Sequence, residues 1–422
     1  MSSKAKQRSR AVAPVLDRRP RYDKAFLRTD HMAGLTAGAF HILAKPRGAV
    51  CNLACRYCFY SKKVDLYQGS SFRMSEEVLE SYVRQVIQAH QGPEVVIAWQ
   101  GGEPTLMGLD FFRRSIELER KYARPGQKVL NTIQTNGTLL DAEWCAFLHE
   151  NDFLVGISID GPEHLHDQLR VDAAGGPTFK EVMRGLRLLQ EHKVEHNALV
   201  AINSVNAAHP LQVYRFLRGE ARIRYIQFIP VVDRVPGTAK ATEESVAPGS
   251  FGRFMMCAFD EWMRRDVGEV FVQAFDVALA NWHGEPPSVC TNAPTCGTAL
   301  ALEHNGDLYS CDHFVDEGHL LGNILTTPML EMVCGERQLR FGAGKAVLPR
   351  PCLECDVRFA CNGGCPKDRF STTHEGEPGL NYLCSGLKSF YHHIDAPMRM
   401  MSELLRQGRA PSEIMAMADR KG

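Results

Sequence analysis

The chain of 422 residues contains no apolar run long enough to cross a bilayer as a helix. Its first residues also lack an apolar segment followed by small residues, so the pattern of a secretory signal is missing and we expect a cytoplasmic protein. Lysine plus arginine and aspartate plus glutamate number 49 each, a balance that gives no overall attraction to nucleic acid or to an anionic membrane. We therefore expect neither a nucleic-acid partner nor a membrane partner.

Cysteine is abundant, with 14 residues. Without an export signal, tight spacings between cysteines favour metal binding over disulfides. The stretch CNLACRYCFY at 51–60 contains Cys51, Cys55 and Cys58, and the next cysteine along the chain is Cys145. A closed structural zinc site needs four ligands. Three thiols predict a metal centre with one open position, although a zinc site that borrows a distant ligand has the same local pattern.

The order of predicted elements divides the chain into regions. Residues 1–38 are basic and lack an apolar period, which predicts a disordered tail. From residue 39 onward, short β-rich runs alternate with helical stretches, a pattern typical of βαβ units and a parallel sheet. Ser75 and Thr178 stand where caps of two helices are expected. The predicted bounds are 39–250 for the α/β region, 251–287 for a linking helical region, 288–393 for a cysteine-rich domain and 394–422 for a C-terminal helical tail.

Polar motifs follow three of the apolar runs. They are GGEP at 101–104, QTNG at 134–137 and SIDG at 158–161. In parallel α/β folds the functional residues lie at the carboxyl ends of the strands. We therefore expect these motifs to meet the 51–58 cysteines at one edge of the sheet.

The region after residue 288 holds a second group of eight cysteines, enough for two sites of four ligands. Thiolates bind both zinc and iron–sulfur clusters, so spacing alone leaves both open. The residues are Cys290, Cys296, Cys311, Cys352, Cys355, Cys361, Cys365 and Cys384.

The first cysteine motif, C-x3-C-x2-C with Tyr57 before its last cysteine, together with GGEP, resembles the signature of radical S-adenosylmethionine (SAM) enzymes. The resemblance implies an α/β fold with a partial (β/α)6 TIM-like barrel. It also implies a [4Fe–4S] cluster on Cys51, Cys55 and Cys58 whose open iron binds SAM. Reduction would then produce a 5'-deoxyadenosyl radical.

The run C-x2-C-x5-C-x3-C with a trailing Cys384 resembles the SPASM domain, a module that carries auxiliary clusters. This resemblance implies two auxiliary [4Fe–4S] clusters with interleaved ligands. We call the first group set 1 and the second group set 2. Set 1 consists of Cys290, Cys296, Cys311 and Cys365, and set 2 consists of Cys352, Cys355, Cys361 and Cys384.

From about residue 39 to 393 the chain resembles anaerobic sulfatase-maturating enzymes, through QGGEPTLMGLDFF, QTNGTLLD, FLVGISIDGP and CNGGC. The family oxidises a cysteine or serine of a sulfatase to Cα-formylglycine after removal of a Cβ hydrogen. The resemblance implies Asp312 as proton acceptor, an unfolded or nascent sulfatase polypeptide as substrate, and flavodoxin or ferredoxin as electron donor. The residues implied in SAM binding are Tyr57, Gly102, Ser158, Arg170 and Val232.

Some alternatives stay open at this point. His313 beside Asp312 is a second candidate base. Tyr60, Gln100 and Gln227 match positions that line the family's peptide channel, or serve as structural polar groups. Pro230 departs from the family pattern, which leaves open whether cysteine or serine is converted. Another SPASM peptide maturase, which cross-links or epimerises a ribosomal peptide, is the alternative function, and a metal scaffold or electron carrier is a third.

Overall fold

Six parallel strands in chain order form the centre of the molecule. The computed structural model describes residues 40–418, so the predicted tail at 1–38 lies outside the described residues. Each strand pairs with the next one along the chain, from β1 to β6. This is the predicted α/β partial barrel. The strands are β1 (His41–Lys45), β2 (Glu94–Trp99), β3 (Lys128–Thr135), β4 (Leu154–Ser158), β5 (His196–Ile202) and β6 (Tyr225–Pro230).

Side-chain burial alternates along the strands and so distinguishes the outer face of the sheet from its inner face. In β1, Ile42 and Ala44 are fully buried, whereas Leu43 between them is partly exposed. Because successive side chains of a strand point to opposite faces, Leu43 and Lys45 share the other face. The parallel register, with Leu43 opposite Ala98, brings the carboxyl ends of the strands to one edge. GGEP, QTNG and SIDG follow β2, β3 and β4 at that edge, as predicted.

Helices connect the strands and cover the outside of the sheet. No helix among residues 40–418 combines the length and the apolar character that a membrane crossing requires. The helices are α1 (Glu76–Ala89), α2 (Leu109–Tyr122), α3 (Ala142–Glu150), α4 (Glu163–His166), α5 (Phe179–Glu191), α6 (Pro210–Arg215), α7 (Pro248–Arg265), α8 (Gln273–His283), α9 (Met329–Cys334), α10 (Glu336–Gly344), α11 (Arg350–Leu353), α12 (Arg358–Cys361), α13 (Cys384–Arg406) and α14 (Ile414–Ala418).

The two predicted helix caps have different outcomes. The Ser75 side chain accepts a hydrogen bond from the Val78 amide at the start of α1, which confirms this cap. The prediction for Thr178 is wrong, because its side chain makes no capping bond to α5. The Asp167 carboxylate accepts the amides of Thr178 and Phe179 instead, and the Thr178 hydroxyl donates to the Arg170 carbonyl. A carboxylate from the preceding turn has taken the place of the local cap.

Strands from the cysteine-rich region extend the same sheet. β8 (Ala299–Glu303) pairs in parallel with β1, and the antiparallel strands β9 (Asp307–Tyr309) and β10 (Leu320–Asn323) continue beyond it. β7 (Phe271–Val272) joins the opposite edge beside β6. A separate short ladder joins β11 (Ser371–Thr372) to β12 (Pro378–Leu380). Because β9 is antiparallel to β8 and β1, the turn between β8 and β9 lies at the carboxyl end of β1, and β9 ends with Tyr309 opposite Ala301. The turn after β9 reaches β1 through side chains, with Asp312 Oδ1 2.5 Å from Lys45 Nζ.

A close helix contact fixes the C-terminal part of the chain to the helical region after the barrel. A Cβ atom on Gly386 of α13 would lie 1.9 Å from the Pro248 carbonyl oxygen of α7. A Cβ atom on Gly252 would likewise lie 2.7 Å from the Gly386 carbonyl oxygen. Only glycine permits this approach. α13 also runs across the predicted bound between residues 393 and 394. The domain bounds themselves stay a prediction.

Candidate active site

The loop that carries Cys51, Cys55 and Cys58 follows β1 and is held by backbone hydrogen bonds. The amide of Ala54 donates to the Val171 carbonyl at 2.8 Å, and the amide of Arg56 donates to the Leu169 carbonyl at 2.9 Å. All three cysteines are half-buried free thiols. Burial raises the pKa of Cys51 to about 11, and the Cys55 and Cys58 thiols add to the effect. Thiols that resist ionisation alone ionise readily when they share a cation, so this loop suits a metal cluster.

The GGEP motif packs directly against the backbone of the cysteine loop. The amide of Gly102 donates to the Gly48 carbonyl at 2.7 Å, and the amide of Glu103 donates to the Val50 carbonyl at 2.9 Å. A Cβ atom on Gly102 would lie 1.9 Å from the Val50 carbonyl oxygen. Residue 102 is therefore restricted to glycine by the approach of two backbones. This contact places the predicted SAM-binding loop beside the predicted cluster loop.

A buried carboxylate joins GGEP to QTNG. Glu103 is 1% exposed and accepts hydrogen bonds from the Thr105 and Thr135 hydroxyls and from the Asn136 amide. The Asn136 side chain then donates to Asn52 Oδ1 at 2.9 Å in the cysteine loop. Glu103 therefore fixes the relative position of three strand ends. It is saturated with protein donors, which indicates a structural role.

Tyr57, Asp160 and Arg170 form a buried cluster beneath the cysteines. The Tyr57 hydroxyl donates to Asp160 Oδ2 and accepts a hydrogen bond from Arg170 Nη1 at 2.8 Å. Asp160 Oδ1 accepts the Ala201 amide of β5. Arg170 Nε is buried and has no hydrogen-bond partner among the described residues. A buried cation with a donor to spare is the group that an anionic ligand such as the SAM carboxylate requires.

The other two predicted SAM-binding residues lie on neighbouring strands of the barrel. Ser158 ends β4, and its hydroxyl oxygen accepts Gln134 Nε2 at 3.0 Å, so the hydroxyl proton stays available for a ligand. Val232 follows β6 and is buried. Its carbonyl oxygen accepts Lys367 Nζ at 2.6 Å from the cysteine-rich region. Val232 can therefore offer a ligand its side chain, whereas its carbonyl oxygen is already engaged.

Asp312 lies directly after Cys311 and faces the end of β1. Its Oδ1 atom is 2.5 Å from Lys45 Nζ, with the Lys45 side chain 2% exposed and the Asp312 side chain 15% exposed. Burial raises the pKa of Asp312, whereas the charges of Lys45 and then of His313 lower it. The lowering is the larger effect, so the pKa of Asp312 lies below its usual range. Asp312 is thus an ionised carboxylate near the mouth of the barrel. Such a group can accept a proton from a bound hydroxyl or thiol.

Two of the predicted channel residues surround Lys45. Lys45 Nζ donates to Gln100 Oε1 at 3.4 Å and lies over the Tyr60 ring, 4.7 Å from its centroid. His313, the second candidate base, packs its ring against Phe59, and burial lowers its pKa. Its Nδ1 atom has no partner within the described part of the chain. The ion pair with Lys45 distinguishes Asp312 from this neighbour.

The eight later cysteines fall into the two interleaved groups. In set 1, burial raises the pKa of Cys311, and the Cys365 and Cys290 thiols raise it further. In set 2, burial raises the pKa of Cys361 to about 11, and Cys384 is the first of the thiols that add to it. Mutual effects of this kind connect thiols within each set. The structure therefore brings together the cysteines that were predicted to share each auxiliary cluster.

The cysteine groups of the described residues do not form a site for a single metal ion. Across residues 40–418, no three histidine, cysteine, aspartate or glutamate side chains are close enough to hold one metal ion. The thiolates of a zinc site all lie about 2.3 Å from the metal. A four-iron cluster separates its thiolates by its own width. The two kinds of cofactor therefore require different separations between the thiols.

Comparisons with known proteins agree with this geometry. Residues 46–217 match the model of the radical SAM superfamily, and residues 290–356 match the SPASM model, an iron–sulfur cluster-binding domain. The chain is 46% identical over 395 residues to the serine-type anaerobic sulfatase-maturating enzyme of Bacteroides thetaiotaomicron, covering 90% of this chain and 95% of that one. The chain belongs to the anaerobic sulfatase-maturating enzymes.

More distant members of the sulfatase-maturating family have lower sequence identity but match this chain over nearly their whole length. A cysteine-type enzyme from Clostridium perfringens is 35% identical over 355 residues, with 83% of this chain and 95% of that one covered. The solved structure of native anSMEcpe with bound AdoMet has a TM-score of 0.80 and 34% identity, and covers 86% of this chain and 99% of that one. These matches confirm the predicted fold class and the iron–sulfur and SAM cofactors. The assignment of single residues to ligands stays a prediction.

Sequence reasoning missed several residues of the site. Lys45 and Glu103 were not singled out, although each touches a predicted functional motif. A lysine at the carboxyl end of a barrel strand, on the inner face, was the available signal for Lys45. Glu103 lies inside GGEP and gave no separate signal. Its role emerges only when β3 lies beside β2, because its partners Thr135 and Asn136 are far away in sequence.

Proposed function

We propose that this protein oxidises a serine of a sulfatase polypeptide to Cα-formylglycine. Membership of the family fixes the class of reaction, the oxidation of a cysteine or a serine to this aldehyde residue. The choice of serine is supported by the higher similarity to the serine-type relative. The observation that carries the proposal is the position of the Asp312 carboxylate, paired with Lys45 beside Cys311 at the barrel mouth.

The reaction sets the requirements for the site. Conversion of a CH2OH group to an aldehyde removes one hydrogen atom from Cβ, one proton from the hydroxyl and one electron. Cys51, Cys55 and Cys58 would hold the cluster to which SAM binds, and SAM would supply the hydrogen-abstracting radical. We assign the proton to the carboxylate of Asp312, and the electron to the adjacent auxiliary cluster that set 1 would hold. Lys45 keeps that carboxylate ionised before the transfer because the ammonium favours the charged form.

The remaining assignments of residues follow the predicted ligand sets. Cys51, Cys55 and Cys58 would hold the cluster that binds SAM, and sets 1 and 2 would hold the auxiliary clusters. Arg170 and Ser158 would donate to polar groups of SAM, whereas Tyr57, Gly102 and Val232 would shape the pocket. The buried Arg170 Nε atom supports this assignment, since it has no protein partner in the described residues.

We further propose the partners and the compartment. An extended sulfatase chain, unfolded or nascent, would reach the barrel mouth, since a serine inside a folded domain is not accessible. Reduction of the first cluster requires an electron donor such as flavodoxin or ferredoxin. The reducing conditions that free thiols need support a cytoplasmic location for the reaction.

Mass spectrometry of two matched peptides tests this function. One peptide carries a sulfatase-type motif with serine and the other has cysteine in its place. Each is incubated anaerobically with reconstituted enzyme, SAM and a reductant. We expect aldehyde formation on the serine peptide. Conversion of the cysteine peptide alone would overturn the serine assignment, and SAM cleavage with both peptides unchanged would indicate a different peptide maturase.

A further inference from the structure

Arg369 connects the regions that carry the two auxiliary sets. Its guanidinium donates only to main-chain carbonyl oxygens. On one side the acceptors are Lys345 and Val347, and on the other side they are Asn362, Gly363 and Gly364. These five hydrogen bonds match the five N–H donors of an arginine side chain. These contacts tie the segment before α11 to the turn between Cys361 and Cys365.

That turn, CNGGC, divides its two cysteines between the sets. Asn362, Gly363 and Gly364 all have positive φ, at 45°, 74° and 64°. Three successive left-handed residues reverse the chain, so Cys361 can lie with the other thiols of set 2 and Cys365 with the other thiols of set 1. A Cβ atom on Gly363 would lie 2.7 Å from Arg369 Nη2. Arg369 thus stabilises a strained turn that only glycine lets it approach.

Lys345 is a second buried cation in direct continuity with Arg369. Its side chain is buried, and its ammonium donates to the carbonyl oxygens of Cys290, Thr291 and Ala293 in the loop that carries Cys290 and Cys296. The Lys345 carbonyl oxygen in turn accepts Arg369 Nη1 at 2.7 Å. Both cations are therefore solvated by peptide groups.

The thiols are close enough to interact with these charges. Burial lowers the pKa of Arg369, and thiols of both sets raise it, namely Cys352 and Cys361 of set 2 and Cys365 and Cys296 of set 1. Burial lowers the pKa of Lys345 to about 8, and the Cys290, Cys296 and Cys365 thiols, all of set 1, act in the opposite direction and favour the ammonium form. A cluster gains negative charge when it is reduced, and a fixed cation nearby stabilises the reduced form. The weak screening of a buried site increases the effect.

We propose that Arg369 is a positioning residue that bridges the two auxiliary sites and raises the reduction potential of both, and that Lys345 raises the potential of set 1 alone. The inference rests on the proposed assignment of sets 1 and 2 to the auxiliary clusters, and it is independent of whether the enzyme oxidises serine or cysteine. It also implies that the two auxiliary sites respond together to one change in charge.

The test measures reduction potentials without any peptide. Full-length protein is reconstituted with iron and sulfide, in a background with Cys51→Ala, Cys55→Ala and Cys58→Ala so that only the auxiliary sites bind. Redox titration followed by electron paramagnetic resonance gives the potentials. We expect Arg369→Gln to lower the potentials of both auxiliary signals and Lys345→Gln to lower only one. Arg340→Gln, an exposed residue that pairs with Glu336, is the matched loss of one charge and should change neither.

Arg369→Lys separates charge from position. It retains the cation but cannot form the five carbonyl contacts, so we expect less iron per chain and near-native potentials in the protein that does assemble. If Arg369→Gln binds no auxiliary iron, Arg369→Lys and Lys345→Gln still provide the comparison. Unchanged potentials in Lys345→Gln, or one signal alone responding in Arg369→Gln, would overturn the proposal whatever peptide the enzyme converts.

Discussion

Lys45 Nζ lies 2.5 Å from Asp312 Oδ1, and this ion pair joins the last residue of β1 to the turn after Cys311. The barrel and the cysteine-rich region thus meet at a buried pair of opposite charges. Removing either charge leaves the other one buried without a partner, and an unpaired buried ion lowers the stability of the protein. The predictions below begin with this pair.

Replacement of Asp312 by asparagine should separate SAM cleavage from substrate oxidation. Asp312→Asn keeps the shape of the side chain but cannot accept a proton as a carboxylate does. Loss of a general base commonly slows a reaction by 10²-fold or more, so we expect about a hundredfold slower aldehyde formation. SAM cleavage should stay close to native. Both products are quantified from one anaerobic assay, and an unchanged aldehyde rate would transfer the base role to His313.

Replacement of Lys45 by methionine should weaken both stability and the base. Lys45→Met leaves the Asp312 carboxylate buried without a cation, which typically costs about 3 kcal/mol or more. The pKa of Asp312 rises because its main charged partner is gone. We expect the pH profile of aldehyde formation to shift toward higher pH. Denaturant unfolding and a pH series measure the two effects, and Lys45→Arg, which keeps the charge, should restore part of the native profile.

Addition of one methyl group at Gly102 should disrupt the contact between GGEP and the cysteine loop. In Gly102→Ala the new Cβ atom would lie 1.9 Å from the Val50 carbonyl oxygen, so the two loops must separate. We expect at least tenfold weaker SAM binding, about 1.4 kcal/mol, while the auxiliary iron is retained. Gly219→Ala is the control, since no atom lies within 4 Å of its added Cβ. Native SAM affinity in Gly102→Ala would show that the loops tolerate the separation.

Glu119 should make the stability of the barrel depend on pH. Burial raises the pKa of Glu119 to about 7, against hydrogen bonds from Asn131 and Ser115 that lower it. A glutamate whose pKa is higher in the folded state than in the unfolded state holds its proton longer in the folded state. The protein therefore loses stability as pH rises from the pKa in the unfolded state, about 4.3, to the pKa in the folded state.

Glu119→Gln should therefore gain stability over the native chain as pH rises through this window, and the gain should reach about 4 kcal/mol at pH values above the window. Glutamine can still accept from Asn131 and donate to the Ser115 hydroxyl. Denaturant midpoints at about pH 5 and about pH 8 measure the gain. Glu117→Gln, on the exposed face of the same helix, should show no comparable change. A gain that is equal at both pH values would contradict the titration of Glu119.

Removal of one set 2 cysteine should cost one cluster. Cys352→Ala deletes one of four thiols, so we expect the protein to lose the iron of that cluster and to unfold more readily, since metal binding stabilises small cysteine-rich folds. Cys334→Ala is the matched control, because Cys334 is an exposed free thiol outside both sets. Iron analysis and unfolding curves distinguish the two variants. Full iron content in Cys352→Ala would remove Cys352 from the ligand set.

Much of the fold could be predicted because its signals are local. The apolar runs before GGEP, QTNG and SIDG became β2, β3 and β4, since strand periodicity and flanking turns are properties of short segments. The position of GGEP, QTNG and SIDG at one edge followed from the parallel order of those strands. The cap of α5 could not be found this way, because Asp167 takes the role expected of Thr178 from eleven residues away.

The sequence by itself determined the chemistry of the protein. Residue types at fixed spacings identify the open three-cysteine motif, the GGEP loop, the eight further cysteines and the carboxylate beside Cys311. Tertiary structure alone decided how these parts face one another. β8 pairs with β1 across more than 250 residues and so brings Asp312 to Lys45. Arg369 likewise reaches both auxiliary sets only after the CNGGC turn has folded. Charges and hydrogen bonds act over a few ångströms of space, and separation along the chain does not specify that distance.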